Sequence, residues 1–250
     1  MSAEKSLAIV LRTIEFSETS VVATLFTDKF GKISALAKGA RRPKGPFESA
    51  LDLLAVVRIV FLHKSSDTLD LLTEAKLERR FRGAARDLSR LYAGYYVAEL
   101  LTELTDAGDP HADLFSAADR TLARLEGDSP VAPTVVDFEL TALRLLGHLP
   151  SLHDCVGCGN PVEAVGRVAF GLVVGGVLCS NCRPGQRQVV SISAPALLAM
   201  RKLTEENGQR EELTELEPKV RGELRGILSS YLAHLLGHKP KMHDYLKTLA

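Results

Sequence analysis

Short apolar runs rich in β-branched residues, separated by turn signals, fill the first 80 residues. LAIVLRT (7–13), VVATLFT (21–27), KISALAK (32–38), LAVVRIVFLH (54–63) and LDLLTEAKL (69–77) read as five strands. Asp28-Lys29-Phe30-Gly31 makes a tight turn between the second and third, and His63 to Asp67 makes another polar turn. Five short antiparallel strands suit a small Greek-key barrel of the OB type. An SH3-like barrel has the same strand count. Phe16, Phe26 and Phe61 are expected in the barrel core.

From about residue 81 the period becomes helical. Leu88, Leu91, Tyr95, Ala98, Leu101 and Leu104 share one face, and Tyr92, Tyr95 and Tyr96 are expected along the core. Asp109-Pro110 opens a second helix with Leu114, Ala118, Leu122 and Leu125 on one face, ending at Gly127. Pro133 or Thr134 starts a third, VVDFELTALRLLG, closed by Gly147. Pro195 begins the helix SAPALLAMRKLTEEN, and PKVRGELRGILSSYLAHLLG forms the last, ending at Gly237. These stripes pack as a bundle. The expected fold class is therefore α+β and multidomain: a five-stranded OB-type barrel over 1–80 and a helical domain over 81–250, interrupted by a cysteine-rich insertion at 151–185.

That insertion holds all four cysteines, in two Cys-x-x-Cys pairs, Cys155 with Cys158 and Cys179 with Cys182, with 20 residues between them. Each pair can turn a knuckle that points two thiolates at one ion, and two knuckles give the tetrahedral sulfur set that Zn2+ prefers. Gly159 can take the positive φ that such a knuckle needs, and GRVAFGLVVGGVL reads as a hairpin carrying the second knuckle back to the first. The expected cofactor is one structural Zn2+ per chain, because a catalytic zinc needs an open ligand position. A redox dithiol is the alternative, and it lacks the usual βαβ setting. His148 and His153 lie just upstream as solvent-facing or capping residues rather than ligands.

Composition narrows the function. Lys and Arg number 31 and balance 31 Asp and Glu, so no global charge draws the chain to nucleic acid or membrane. Any such affinity must be local. With all four cysteines committed to metal, no disulfide framework remains, which points to a reducing cytoplasm. No apolar run reaches the length of a membrane span, and the N-terminal LAIVL is short for a signal peptide. Phosphate-loop, nucleophile-elbow and His-Glu-x-x-His motifs are all missing, so nothing in the sequence demands an enzyme.

One local patch stands out. KGARRPKGP (38–46) places Lys38, Arg41, Arg42 and Lys44 within seven residues, without an acid. Unpaired cations are too costly to bury, so this is an exposed loop, and its chemistry suits phosphates. Arg12 and Lys32 extend the DNA-binding set; Lys29 and Arg58 lie nearby, and Phe30 and Phe47 are the adjacent aromatics that could stack on bases. The alternative is an ordinary solvated loop. A second cluster, Arg79, Arg80, Arg82 and Arg86, reads as a solvated junction, or as a site for an acidic peptide or a phosphate.

KGARRPKGP (38–46), FELTALRLLGHLPSLHDCVGCG (138–159), GGVLCSNC (175–182) and LLGHKPKMHDYL (235–246), in this order, resemble the RecO family of bacterial DNA-repair proteins over nearly the whole chain. The family's tail more often ends in a basic segment, where this chain reads KMHDYL. The resemblance implies a protein without catalytic activity, working in the cytoplasm at the nucleoid. It would bind single- and double-stranded DNA, anneal complementary strands and, with RecR, load RecA onto DNA coated by single-strand-binding protein. It also implies contact with the acidic C-terminal tail of that protein, for which Arg79, Arg80, Arg82 and Arg86 are the candidates. Two rivals come from other classes. One is a zinc-stabilised protein–protein adaptor without intrinsic DNA binding; the other is a zinc-dependent nucleic-acid enzyme.

Overall fold

The computed structural model describes residues 3–42, 45, 47, 50–63, 69–205 and 216–246, which fall into two compact units, Met1–Ser129 and Pro130–Ala250. In the first unit, β1 (Ala3–Glu15), β2 (Val21–Thr27), β3 (Gly31–Ala37), β4 (Val56–Leu62) and β5 (Asp70–Arg79) close a barrel in the order β1-β2-β3-β5-β4. Each overlaps one of the five predicted runs. β1 extends beyond its prediction because its two halves pair on opposite edges. Ala8–Glu15 meets β2 and Ala3–Ile9 meets β4, with a register shift between Val10 and Arg12 that bends the strand from one neighbour to the other. β5 runs parallel to β3 through Asp70–Leu72 and antiparallel to β4, which closes the sheet.

The period-two pattern decides what lies inside. Val21, Ala23 and Leu25 of β2 and Ile33, Ala35 and Ala37 of β3 join Val57, Ile59, Phe61, Leu72 and Ala75 in the core. A five-stranded barrel is narrow, so small side chains alternate with large ones. Phe47 enters this core from the β3–β4 connection and is only 3% exposed. Phe30 packs against it edge-on to Phe61, with ring centroids 5.2 Å apart. Phe26 and Phe61 are fully buried as expected. Phe16 is not: it lies beyond the end of β1 and is 64% exposed.

Two helices complete this unit: α1 (Leu88–Leu104), capped by Asp87 accepting from the Arg90 N–H, and α2 (Ala112–Glu126). Phe115 of α2 lies 6.4 Å from Phe26 on the outer side of β2. Gly94 of α1 is packed so closely that a Cβ there would stand 2.7 Å from Leu54 and 2.9 Å from the Phe81 ring. The compact units thus part after α2, whereas the sequence places a boundary at residue 80, where β-periodicity ends.

The β2–β3 turn is fitted to the α1–α2 connection. Gly31 has φ +64°, and a Cβ on it would stand 2.1 Å from the Asp109 carbonyl oxygen. Next to it, the Lys32 backbone carbonyl accepts from the Gly108 N–H at 3.0 Å. The Lys32 ammonium donates to the carbonyls of Thr102 and Thr105 at the C-terminal end of α1, where the helix dipole favours a cation.

The second unit holds α3 (Val131–Leu145), β6 (Arg167–Gly171), β7 (Gly176–Leu178), β8 (Val189–Ser193), α4 (Ala194–Thr204), α5 (Pro218–Leu236) and the short α6 (His243–Leu246). The predicted hairpin is β6–β7. β8 adds to the other edge of β6 and escaped the sequence reading, although VVSIS has the right composition. Pro195 sits in the first turn of α4, and α5 ends at Gly237 with φ +75°, both as predicted. Ser193 caps α4 and donates through its backbone N–H to Glu223 of α5 at 3.0 Å, which ties the small sheet to that helix.

Gly31→Ala should destabilise the first unit by about 2 kcal/mol or more, since it adds both backbone strain and a steric clash with the Asp109 backbone. Urea unfolding followed by circular dichroism measures this; an unchanged midpoint would show that the turn is not so constrained.

Candidate metal centre and nucleic-acid interface

The sulfur atoms of Cys155, Cys158, Cys179 and Cys182 all lie within 4.8 Å of one another. Their positions follow from local backbone geometry. The Cys155 N–H donates to the Asn160 carbonyl at 2.8 Å, and the Gly159 N–H returns to the Cys155 carbonyl at 2.8 Å with Gly159 at φ +72°. That is the first knuckle. The second forms when the N–H groups of Cys182 and Arg183 donate to the Cys179 carbonyl at 3.2 and 3.0 Å. Gly157 lets the two approach, because a Cβ there would stand 2.9 Å from the Cys182 Cβ. Arg201 of α4 fastens the first knuckle at both ends, donating to the carbonyls of Leu152 at 2.8 Å and Val162 at 2.7 Å. The sequence reading missed Gly157 and Arg201. The Cys-Val-Gly-Cys spacing was a signal for the first, and nothing local marks the second.

The donor set suits a tetrahedral ion. With Zn–S bonds of about 2.3 Å, the edge of a sulfur tetrahedron is about 3.8 Å, and Cys158 Sγ stands 3.8 Å from Cys179 Sγ. Cys155 is buried, and its sulfur accepts N–H bonds from Cys179 at 3.3 Å and Gly157 at 3.4 Å. The Cys179 N–H, helped by that of Gly157, holds the Cys155 thiol down to about 6. Hydrogen bonds to the Cys179 and Cys158 sulfurs push Cys182 up to about 12. Four crowded sulfurs cannot all ionise without a cation among them. His148 and His153 are exposed and stand outside the cluster.

The predicted DNA-binding residues lie in the first unit. Glu15 of β1, Val21 of β2 and Ala37 of β3 are in register, so the β1–β2 hairpin and the start of the basic loop share one end of the barrel. The Arg41 N–H donates to the Thr19 carbonyl at 3.0 Å, and the Arg41 guanidinium pairs with Glu15 at 3.0 Å. The Arg42 N–H donates to the carbonyl of Gly39, whose φ is +75°. Lys38, Arg41 and Arg42 are all exposed, and so is Arg12, which faces Thr24 across the sheet. Lys38, Arg42 and Arg12 form no ion pair among the described residues. Lys44 lies outside the described residues. Lys32 stands apart from the others, on the α1 carbonyls; burial lowers its pKa, and Asp106 and Glu103 partly restore it. Arg58, on β4, pairs with Glu78 at 2.9 Å.

The aromatic assignments change with the structure. Phe47 cannot stack on a ligand, because its ring plugs the barrel, and Phe30 is packed against Phe61. Phe16, expected in the core, is the exposed ring beside the basic loop. The reason is that the strand pattern runs on past Ile14, while the barrel wall ends at Glu15.

Arg79, Arg80, Arg82 and Arg86 line a cleft of about 750 Å³ together with Leu77 and Glu126. Most are already paired. Arg79 bonds both Asp119 and Glu126, Arg80 meets Asp52 at 3.3 Å, and Arg86 meets Asp128. The Arg82 guanidinium has no ion pair among the described residues, while its backbone N–H donates to Glu126 at 2.9 Å. Among the described residues no helix is long and apolar enough to cross a membrane.

The family described as Recombination protein O N terminal matches residues 1–81, and Recombination protein O C terminal matches residues 85–244. The chain is 46% identical over 263 residues to the DNA repair protein RecO of Rhodopirellula baltica, covering 96% of this chain and 97% of that one. It is 33% identical to the protein of the same name from Anaeromyxobacter dehalogenans, covering 98% and 96%. To that from Myxococcus xanthus it is 32% identical, covering 96% and 95%.

The thiol chemistry sets a pH dependence. The N–H groups around Cys155 favour its thiolate, whereas the neighbouring sulfurs favour the protonated Cys182, so a divalent ion held by all four sulfurs would have to displace a proton. Binding of a divalent ion therefore releases protons, and affinity should rise by about tenfold per pH unit for each proton released. Titrating the apo protein with Co2+ between pH 6 and 8, and following the tetrahedral thiolate absorption, should give one ion per chain and that slope. A flat pH profile would contradict it.

Proposed function

This chain belongs to the RecO family, and on that premise we propose that it is a recombination mediator of DNA repair, acting by binding rather than catalysis. The barrel carries the proposal. A closed five-stranded barrel in the order β1-β2-β3-β5-β4, with β3 parallel to β5, supports the OB-type reading. Its β1–β2 hairpin and basic loop present Lys38, Arg41 and Arg42 at one end, with Arg12 further along β1. These cations, with Lys44, neutralise phosphates on single- or double-stranded DNA and so lower the repulsion between complementary strands during annealing. Lys32 adds charge near the barrel while it caps α1.

The division of labour follows the sequence: residues 1–80 hold DNA and residues 81–250 form the helical domain. The segment 151–185 holds one structural Zn2+ through Cys155, Cys158, Cys179 and Cys182. The four thiolates fill the ion's coordination, so its contribution is to fold the segment rather than to polarise a substrate. Protein partners are RecR, with which the chain loads RecA, and the acidic tail of single-strand-binding protein. The cleft of Arg79, Arg80, Arg82 and Arg86 fits that tail's charge. Its carboxylates would exchange with Asp52 and Asp128, whose pairs with Arg80 and Arg86 are exposed and therefore weak. The working compartment is the cytoplasm, at the nucleoid.

The test is annealing of complementary strands precoated with single-strand-binding protein, comparing the chain with an Arg41, Arg42, Lys44→Ala triple variant. The variant should anneal at least about tenfold more slowly, and its log affinity against log salt should flatten by about 2 for single strands, the loss of three phosphate contacts. Equal annealing by both would place the DNA surface elsewhere. Absence of DNA binding by the parent chain would favour an adaptor without intrinsic affinity for DNA.

A further inference from the structure

The outer face of β1, β2 and β3 carries a pattern that the basic loop does not explain. Arg12 and Ile14 occupy alternate positions and so share one face of β1, about 7 Å apart, and Phe16 follows at the next alternate position, one residue past the strand's end. Cross-strand register extends each position into a row. Arg12 continues into Thr24 and Ser34, which are polar. Ile14 continues into Val22 and Leu36, which are apolar. Beyond that row stand Phe16 at the hairpin and Lys38 just past β3. Ile14 is 45% exposed and Phe16 64% exposed, although a soluble domain gains by covering such groups.

Phe16 is held there by the backbone. Its N–H donates to the Ser20 carbonyl at 3.0 Å, which continues the β1–β2 ladder by one residue, and the Ser17 N–H donates to the same carbonyl at 3.2 Å. The Ser20 N–H in turn donates to Ser17 Oγ at 3.2 Å, and Arg41 ties the far side of the hairpin to the basic loop through Thr19. The ring is thus presented on an ordered turn, with cations on either side of an apolar strip.

We propose that Phe16, backed by the Ile14–Val22–Leu36 strip, is a stacking platform for the unpaired bases of single-stranded DNA, and that it sets the preference of this face for single strands over duplex. The proposal rests on the DNA-binding reading above and says which form of DNA the face distinguishes, and by which atoms. Charge complementarity selects the occupant: exposed Arg12 and Lys38 flank the strip, and phosphates on them bring bases over the apolar middle. A duplex keeps its bases stacked on one another and has none to offer. Stacking uses the flat face of a base and leaves its Watson–Crick edge open, so a strand held this way remains able to pair with its complement.

The chain contains no Trp, which makes the test direct. Phe16→Ala and Phe16→Trp would be compared with the parent chain for binding to a labelled oligo-dT and to a blunt hairpin duplex of equal charge. Phe16→Ala should lose about tenfold in affinity for the single strand and stay within about twofold for the duplex. Phe16→Trp should restore single-strand binding, and its indole fluorescence should be quenched by oligo-dT but not by the hairpin. Because the ring is exposed, both variants should unfold at the parent's urea midpoint. If Phe16→Ala binds both DNAs like the parent and the indole is not quenched, the platform is refuted while DNA binding by the cations stands. An equal loss on both DNAs also refutes it, since the residue then acts without regard to unpaired bases. If the parent chain binds neither DNA, the reading on which the platform rests is itself overturned.

Discussion

Closure of the five-stranded sheet is the constraint from which the rest of the first unit follows. β5 must enter between β3 and β4, parallel to the one and antiparallel to the other, or the sheet keeps two open edges. The chain therefore cannot pass from β3 to β4 by a tight hairpin and takes residues 38–55 to do so. That connection turns several of its apolar members inward, while Leu53 stays exposed. Phe47 and Ala50 fill the core, and the cations Lys38, Arg41 and Arg42 are left outside. The basic loop is thus the outer half of a plug. The outer wall divides in the same way. α1 and α2 cover the side that contains Leu54 and Phe26, and the side with Arg12, Ile14 and Phe16 stays exposed.

In the second unit a different economy operates. Its sheet has three strands of only three to five residues, too little apolar surface to hold two knuckles in place. The four sulfurs supply the missing link when a cation joins them, and the surrounding backbone is arranged in advance. N–H groups point at the buried Cys155, Gly157 leaves room for Cys182, and Arg201 clamps the ends of the first knuckle. Proposed zinc and fold would then be coupled, each stabilising the other.

Much of this was legible in the sequence because it depends on local chemistry. The two Cys-x-x-Cys pairs, Pro195 at the start of α4, Gly237 at the end of α5 and the five strand runs need only spacing and backbone preference to be recognised. What was not legible depends on partners distant in the chain. Phe47 and Phe16 look alike as isolated aromatics near a basic loop, and only the end of the barrel wall at Glu15 separates a plug from an exposed ring. Lys32 reads as one more surface cation until the carbonyls at the end of α1, 70 residues away, are seen to accept from it. β8 is five residues long and owes its strand character to pairing with β6. The close packing of α1 involves Gly94, which approaches Leu54 and Phe81, a position that periodicity alone treats as a weak point in a helix.

On this reading DNA is held on the open face of the barrel, with its cationic loop. Hydrogen exchange of the intact, metal-loaded chain, with and without a saturating single-stranded oligonucleotide, tests it most directly. Added protection is expected within the segments 12–24 and 34–42, with the knuckles at 155–183 unchanged. Protection confined to the cysteine segment, or to the arginine cleft around residues 79–86, would contradict the account.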